Sequence, residues 1–193
     1  MDDEKNRERR MTLLKYGNTN TFLINGLLID TDYAGTLGVF YREIKSQGIK
    51  VSDLKYVLAT HYHPDHCGLI GELQRLGVRL VLTETQVDSV HFPDYIFQRD
   101  GIRYIPVNEK EAMVIKCADS RAFLQTLGIE GKILSTPNHS RDSVSVILDS
   151  GECIVGDLQR REYDPELEDW KNLMKRHPRR ICYGHGPMEE LAE

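Results

Sequence analysis

Leu37, Phe40, Tyr41 and Ile44 recur at i, i+3, i+4 and i+7, the apolar stripe of an amphipathic helix that Gly48 ends. Leu69, Ile70, Leu73 and Leu76 make a second such stripe, stopped by Gly77. Around these helices lie short runs of a different character. Residues 12–16, 21–24 and 27–30 read as strands, and Asn25-Gly26 between the last two has the composition of a two-residue hairpin turn. The compact apolar run at 56–59 predicts a buried strand, and 79–82 predicts another. In the second half, 132–135, 143–148 and 152–155 read as strands, with Asp149-Ser150-Gly151 as the turn between the last two. Residues 119–127 suggest a short helix closed by Gly128. A helix is expected over 166–176, with Trp170, Leu173 and Met174 facing the core, and a final strand at 180–183. Strands alternating with helices, then a more β-rich half, argue for an α/β (α+β) protein. Residues 1–10 are densely charged and read as a frayed tail ahead of a single domain over 11–193. The segment 83–102 carries Phe92, Tyr95 and Phe97 and fits no clear pattern.

Composition narrows the class. The chain has 193 residues with a formal net charge of -5, so a nucleic-acid binder relying on bulk positive charge is disfavoured. No apolar run approaches the ~20 residues of a membrane span. The polar N-terminus lacks the apolar core of a signal peptide, and a cytoplasmic protein is expected. Cys67, Cys117, Cys153 and Cys182 are scattered and read as reduced thiols, mostly buried as small hydrophobes.

The chemistry concentrates in the histidines. Three of the seven fall in Thr60-His61-Tyr62-His63-Pro64-Asp65-His66, directly after the apolar run at 56–59. In an extended segment residues i and i+2 point the same way, so His61 and His63 can share one metal ion. Pro64 keeps His63 extended and suits the first turn of a helix. Asp65 and His66 then lie near that helix N-terminus and can aim at a second ion. A solvated polar loop or a structural metal site is the plainer alternative. A structural zinc site, however, more often uses cysteine, and no cysteine here has ligand spacing. Further His and Asp residues follow predicted strands at His139, Asp157 and His185, where open α/β sheets build sites. Five histidines and two aspartates suffice for two divalent ions.

The ordered set H-x-H-x-D-H, then Thr136-Pro137-Asn138-His139-Ser140, then Gly156-Asp157, then Gly184-His185-Gly186, resembles the metallo-β-lactamase superfamily over nearly the whole chain. The resemblance implies a four-layer αβ/βα sandwich with a dinuclear metal site at one edge of two packed sheets. It implies that His61, His63 and His139 bind one ion, that Asp65, His66 and His185 bind the other, and that Asp157 bridges both. Zinc is the expected metal, with iron or manganese as alternatives. Asn138 stands where the family usually has glycine, which leads to the expectation of a left-handed backbone there, a conformation Asn tolerates.

Within the superfamily, position 66 is His and no cysteine ligand is present, unlike the zinc β-lactamases that start H-x-H-x-D-R. Too few positions separate His66 from His139 for an inserted nuclease domain. His63 stands where the diiron flavoproteins carry an acidic residue, and little chain follows His185 for a glyoxalase II helical domain. The expected function is a minimal hydrolase using a metal-bridging hydroxide on a small ester, thioester, lactone or phosphoester. Asp65 is the candidate catalytic residue, orienting the nucleophile and shuttling a proton; pure ligation is its simpler role. The alternatives are a mononuclear iron oxidoreductase of the persulfide dioxygenase type and a non-catalytic metal-binding regulatory protein. The expected partner is a small-molecule substrate, with neither nucleic acid nor membrane. Tyr33, Phe92, Phe97 and Arg160 are the candidate substrate-lining residues. Against this, the Phe92–Phe97 aromatics can equally close the core, and Tyr33 and Arg160 can be plain surface residues.

Overall fold

The computed structural model describes residues 11–191. The frayed tail expected over 1–10 lies outside them. Strands β1 (Thr12–Leu14), β2 (Thr21–Ile24) and β3 (Leu27–Ile29) form an antiparallel meander. Asn25 and Gly26 turn its second hairpin at φ 46° and 85°, the left-handed pair that a two-residue hairpin loop requires. Helix α1 (Leu37–Ser46) then leads by a crossover to β4 (Tyr56–Leu58), parallel to β3. The short α2 (Pro64–Cys67) and α3 (Ile70–Arg75) precede β5 (Arg79–Thr83). Helix α4 (Phe92–Arg99) precedes β6 (Met113–Ile115), which completes a six-stranded sheet in sequence order. Helix α5 (Ser120–Thr126) links this sheet to a second one built from β7 (Gly131–Ser135), β8 (Val144–Leu148) and β9 (Glu152–Gly156). Helix α6 (Glu168–Met174), β10 (Arg180–Tyr183) and β11 (Glu189–Glu190) complete it, in the order β11-β10-β9-β8-β7.

Side-chain alternation turns these elements into layers. Phe22, Ile24, Leu27, Ile29 and Val81 of the first sheet pack on Ile133, Val144, Val146 and Ile154 of the second, forming the inter-sheet core. The intervening residues Leu23, Leu28, Val57 and Leu80 face the other way and bury Phe40 and Ile44 of α1 with Ile70 and Leu73 of α3. On the far side Ile147, Cys153, Val155 and Ile181 cover Trp170 and Leu173 of α6. The result is helix, sheet, sheet, helix, the expected four-layer αβ/βα sandwich.

Three details depart from the sequence reading. Leu76 closes the stripe of α3 but is 45% exposed, because Gly77 turns the chain at φ 91° before that residue reaches the core. Met174 is only half-buried. Asn138 is absent from the left-handed residues, which besides glycines are Asn25, Asp30 and His177 among the described residues. Its backbone N–H instead donates to Asp169 Oδ2 at 2.9 Å, which fixes the loop without a positive φ.

Candidate metal centre

The proposed ligands lie on the segments that follow β4, β7, β9 and β10 at one end of the sandwich. His61 follows β4 and is 1% exposed. His63 caps α2 with extended backbone (φ -76°, ψ 149°), as its position before Pro64 dictates. Asp65 and His66 occupy the first turn of α2, His139 follows β7, Asp157 follows β9 and His185 follows β10. These side chains converge. His61, His63 and His139 form one group of donor atoms lying within 4.8 Å of one another, and Asp65, His66 and His185 form a second. A third group, His61, His66 and Asp157, joins the two. Asp157 turns one oxygen to each side. Oδ1 lies 3.2 Å from His66 Nε2 and 3.5 Å from His185 Nε2, and Oδ2 lies 4.0 Å from His139 Nε2.

Hydrogen bonds behind two of the candidate ligands, His66 and His185, set their tautomers. His66 Nδ1 is 3.0 Å from Asp30 Oδ2, and an acceptor that is only a carboxylate requires the proton on Nδ1. His185 Nδ1 likewise faces the carbonyl of Asn18 at 3.0 Å. Both Nε2 lone pairs therefore point inward, 3.3 Å from each other, with His185 Nε2 also 3.1 Å from Asp65 Oδ2. His61 Nε2 and Asp157 Oδ1 are buried and make no hydrogen bond. So many acceptors facing one another are stable only around positive charge. All-nitrogen and oxygen donors of this kind suit a divalent transition metal, so the residues present fit such ions. A proton can take the cation's place at His66: burial opposes its charging, but Asp30 and Asp157 outweigh burial and raise it to about 10. Burial likewise opposes ionisation of Asp157, yet His66 and the other imidazoles hold its carboxyl below the usual range. His61 has no such carboxylate behind it, and burial pushes it down to about 2.

Residues that the sequence reading passed over hold this arrangement. Asp30 is fully buried at φ 60°, one residue past β3. Its carboxylate accepts the Thr60 N–H at 2.5 Å, the Thr60 hydroxyl at 2.9 Å and His66 Nδ1, joining the ends of β3, β4 and α2. Asp142 accepts the Tyr62 N–H at 2.7 Å and the Ser140 hydroxyl at 2.8 Å, tying the first ligand segment to the His139 loop. Asp32 accepts the Asn18 N–H at 2.7 Å and so positions the carbonyl that orients His185. Gly184 lies so close that a β-carbon there would sit 2.6 Å from His66 Cε1 and 2.7 Å from Asp157 Oδ1. The signal for Asp30 and Asp32 was the pair of carboxylates in Asp30-Thr31-Asp32 immediately after an apolar strand.

The proposed substrate-lining residues divide. Phe92 is 53% exposed and its ring lies 5.6 Å from that of His63, beside the first donor group. Phe97 is 2% exposed and packs between Tyr33 at 5.0 Å and Tyr104 at 4.9 Å. Its place as a wall of the site is therefore corrected: on helix α4 a residue five positions after Phe92 falls on the inward face. Tyr33 is half-buried against that ring. Arg160 stacks 4.3 Å over Tyr183 and donates to the Pro187 carbonyl at 3.1 Å, beside the His185 loop. Cys67 donates to the His63 carbonyl at 3.1 Å, and burial raises its thiol far above the usual range, so it is an inert core thiol.

Residues 14–185 match the sequence family described as the Metallo-beta-lactamase superfamily, and the chain belongs to it. Among its relatives is the "Beta-lactamase-like protein 2 homolog" of Caenorhabditis elegans, 26% identical over 88% of this chain and 56% of its own. Another is the "Probable metallo-hydrolase MJ0888" of Methanocaldococcus jannaschii, 28% identical over 74% of this chain and 68% of its own. The chain thus spans little more than half to two-thirds of the length of these relatives. The solved structure of TTHA1623 in a di-iron-bound form superposes with a TM-score of 0.67 at 20% identity, covering 94% of each chain. Among the described residues no helix is long and apolar enough to cross a membrane.

Proposed function

We propose that the chain is a dinuclear metal-dependent hydrolase acting on a small ester, thioester, lactone or phosphoester. The observation that carries this reading is the inward convergence of His and Asp donor atoms in two groups, with Asp157 turned to both. Such ions, when bound, supply a hydroxide nucleophile near neutral pH and polarise the oxygen that becomes negative. We take them to be zinc; iron, the metal named for TTHA1623, is the alternative to measure. The chain's own part is positioning and proton handling. Asp65 is about one-third exposed at the open side of the cluster, and its backbone carbonyl is pinned by the Thr19 hydroxyl at 2.7 Å. Its Oδ2 is the atom we assign to take the nucleophile's proton and return it to the leaving group. Phe92 offers the apolar surface that binds the non-reacting part of the substrate.

The test is metal analysis of the purified protein, then a panel of thioesters, lactones, phosphodiesters and β-lactams before and after chelation. Hydrolysis that chelation abolishes and zinc restores supports the reading. Oxygen consumption with a persulfide and no hydrolysis of any panel member would replace it with the iron oxidoreductase.

Phe92 gives a sharper check. Its ring is already half in water, so Phe92→Ala is expected to cost less than ~1.5 kcal/mol of stability. It should raise KM about 5-fold or more with metal content unchanged. Phe97→Ala, in the core, should instead cost ~3–5 kcal/mol and lower Tm sharply. Equal effects of the two changes on KM and Tm would remove Phe92 from the binding surface.

A further inference from the structure

The metal donors stand where β7, β9 and β10 end. At the opposite end of the same sheet, the β8–β9 turn and the connection from α6 to β10 enclose a second cavity of about 310 Å³. Strand β8 alone separates the two ends by roughly 15 Å, at ~3.4 Å per residue. The cavity wall carries Arg121, Lys132, Lys175, Arg176 and Arg179 against one carboxylate, Asp149. This concentration of positive charge belongs to a chain whose net charge is -5.

Local structure explains only part of it. Lys175 and Arg176 follow the C-terminus of α6, where cations are favoured by the helix dipole. Arg121 comes from α5, Lys132 from β7 and Arg179 from the approach to β10, and no local rule places them together. Arg121 is spent on Asp149 through two 2.8 Å bonds, with Glu130 also 3.6 Å away. Lys175 meets only the neutral Asn172 amide at 3.1 Å, and Arg179 only the Ser150 carbonyl at 2.9 Å. Among the described residues, no carboxylate lies within ion-pair distance of Lys132, Lys175, Arg176 or Arg179. His177 also lines the cavity; its left-handed φ of 52° belongs to the turn that closes the C-terminus of α6 ahead of Pro178, with its N–H on the Met174 carbonyl at 3.0 Å.

We propose that this cavity binds the diphosphate group of a small anionic ligand, at a site separate from the metal centre. Lys132, Lys175 and Arg179 without a carboxylate partner, with Arg176 only at longer range from the Asp149 that Arg121 already holds, call for more than one negative charge. Guanidinium groups match phosphate oxygens in geometry, and the volume is at the small end of the ~300–1,000 Å³ range of ligand pockets. An adjoining concavity of about 440 Å³ between β7 and α6 shares Lys175 and Arg176 and adds Leu134 and Leu173, room for an organic group beyond the phosphates.

Calorimetric titration of the metal-loaded protein at low salt with inorganic diphosphate, ADP and orthophosphate tests this. Saturable binding of diphosphate and ADP is expected, with orthophosphate at least 10-fold weaker. The exposed double change Lys175→Ala/Arg176→Ala should weaken diphosphate binding 10-fold or more, and Lys132→Ala about 3-fold, whereas His139→Ala should leave it within 2-fold. Equal affinity for diphosphate and ADP would identify the inorganic group as sufficient; tighter ADP binding would place a nucleoside in the adjoining concavity. Loss of binding in His139→Ala but not in the lysine and arginine variants would assign the anion to the metals and overturn the proposal. Absence of saturation at millimolar diphosphate would overturn it as well.

Discussion

Asp157→Ala will yield a folded protein that retains one equivalent of metal or less and loses at least ~10³-fold in hydrolysis. Asp157 is the carboxylate that faces both donor groups, Oδ1 toward His66 and His185 and Oδ2 toward His139. Two divalent ions ~4 Å apart repel by roughly 16 kcal/mol at an effective dielectric of about 20. An anion between them attracts both, so removing it weakens the second binding event far more than the first. The fold should persist. The Asp157 side chain is about one-fifth exposed and carries no backbone hydrogen bond, while His66 keeps Asp30 behind it. Metal content by plasma mass spectrometry, with Tm in the metal-depleted form, separates the two effects. Two equivalents bound at the wild-type affinity would show that Asp157 does not bridge.

The residues that converge as candidate ligands were legible in the sequence because His139, Asp157 and His185 each lie one to a few residues past an apolar run, and because the H-x-H-x-D-H spacing encodes its own geometry through Pro64 and the start of α2. The layers were legible for a similar reason: β2 and β3 carry enough apolar residues to face two cores at once. What escaped was structure without a strong period. Helix α4 is only eight residues long, with Pro93 in its first turn, and presents both a buried Phe97 and an exposed Tyr95, so its stripe is blurred. Strand β6 is three residues long with Val114 in water, and β11 is only Glu189–Glu190. Asn138 misled in another way. A family pattern suggested a left-handed backbone, whereas a distant carboxylate, Asp169, satisfies the loop instead. Contacts of that kind join positions far apart in the chain, and no local pattern announces them.

Asp30 is the most consequential of the residues the sequence reading passed over. Asp30→Asn is expected to lower metal affinity ~10–100-fold, the usual cost of losing a carboxylate behind a metal-bound histidine. Asn is chosen because it tolerates the left-handed φ of 60° at this position and keeps the volume, so the backbone should hold. What changes is donor count. Oδ1 accepts from the Thr60 N–H, and Oδ2 accepts from both the Thr60 hydroxyl and His66 Nδ1. In Asn one of these atoms becomes an NH₂ that cannot accept. If the carbonyl stays on the Thr60 N–H, the amide nitrogen faces His66 Nδ1. His66 then relieves the clash of donors by moving its proton to Nε2, the atom aimed at the metals. Each binding event must now displace that proton or rotate the ring. Zinc affinity, measured against a competing chelator, should fall accordingly, with far-ultraviolet circular dichroism unchanged. Nitrogen-15 spectra of the imidazoles should show His66 switching from the Nδ1–H to the Nε2–H tautomer. A variant that binds zinc as tightly as the parent, with Nδ1 still protonated, would show that Asp30 only braces Thr60 and does not set the state of the ligand.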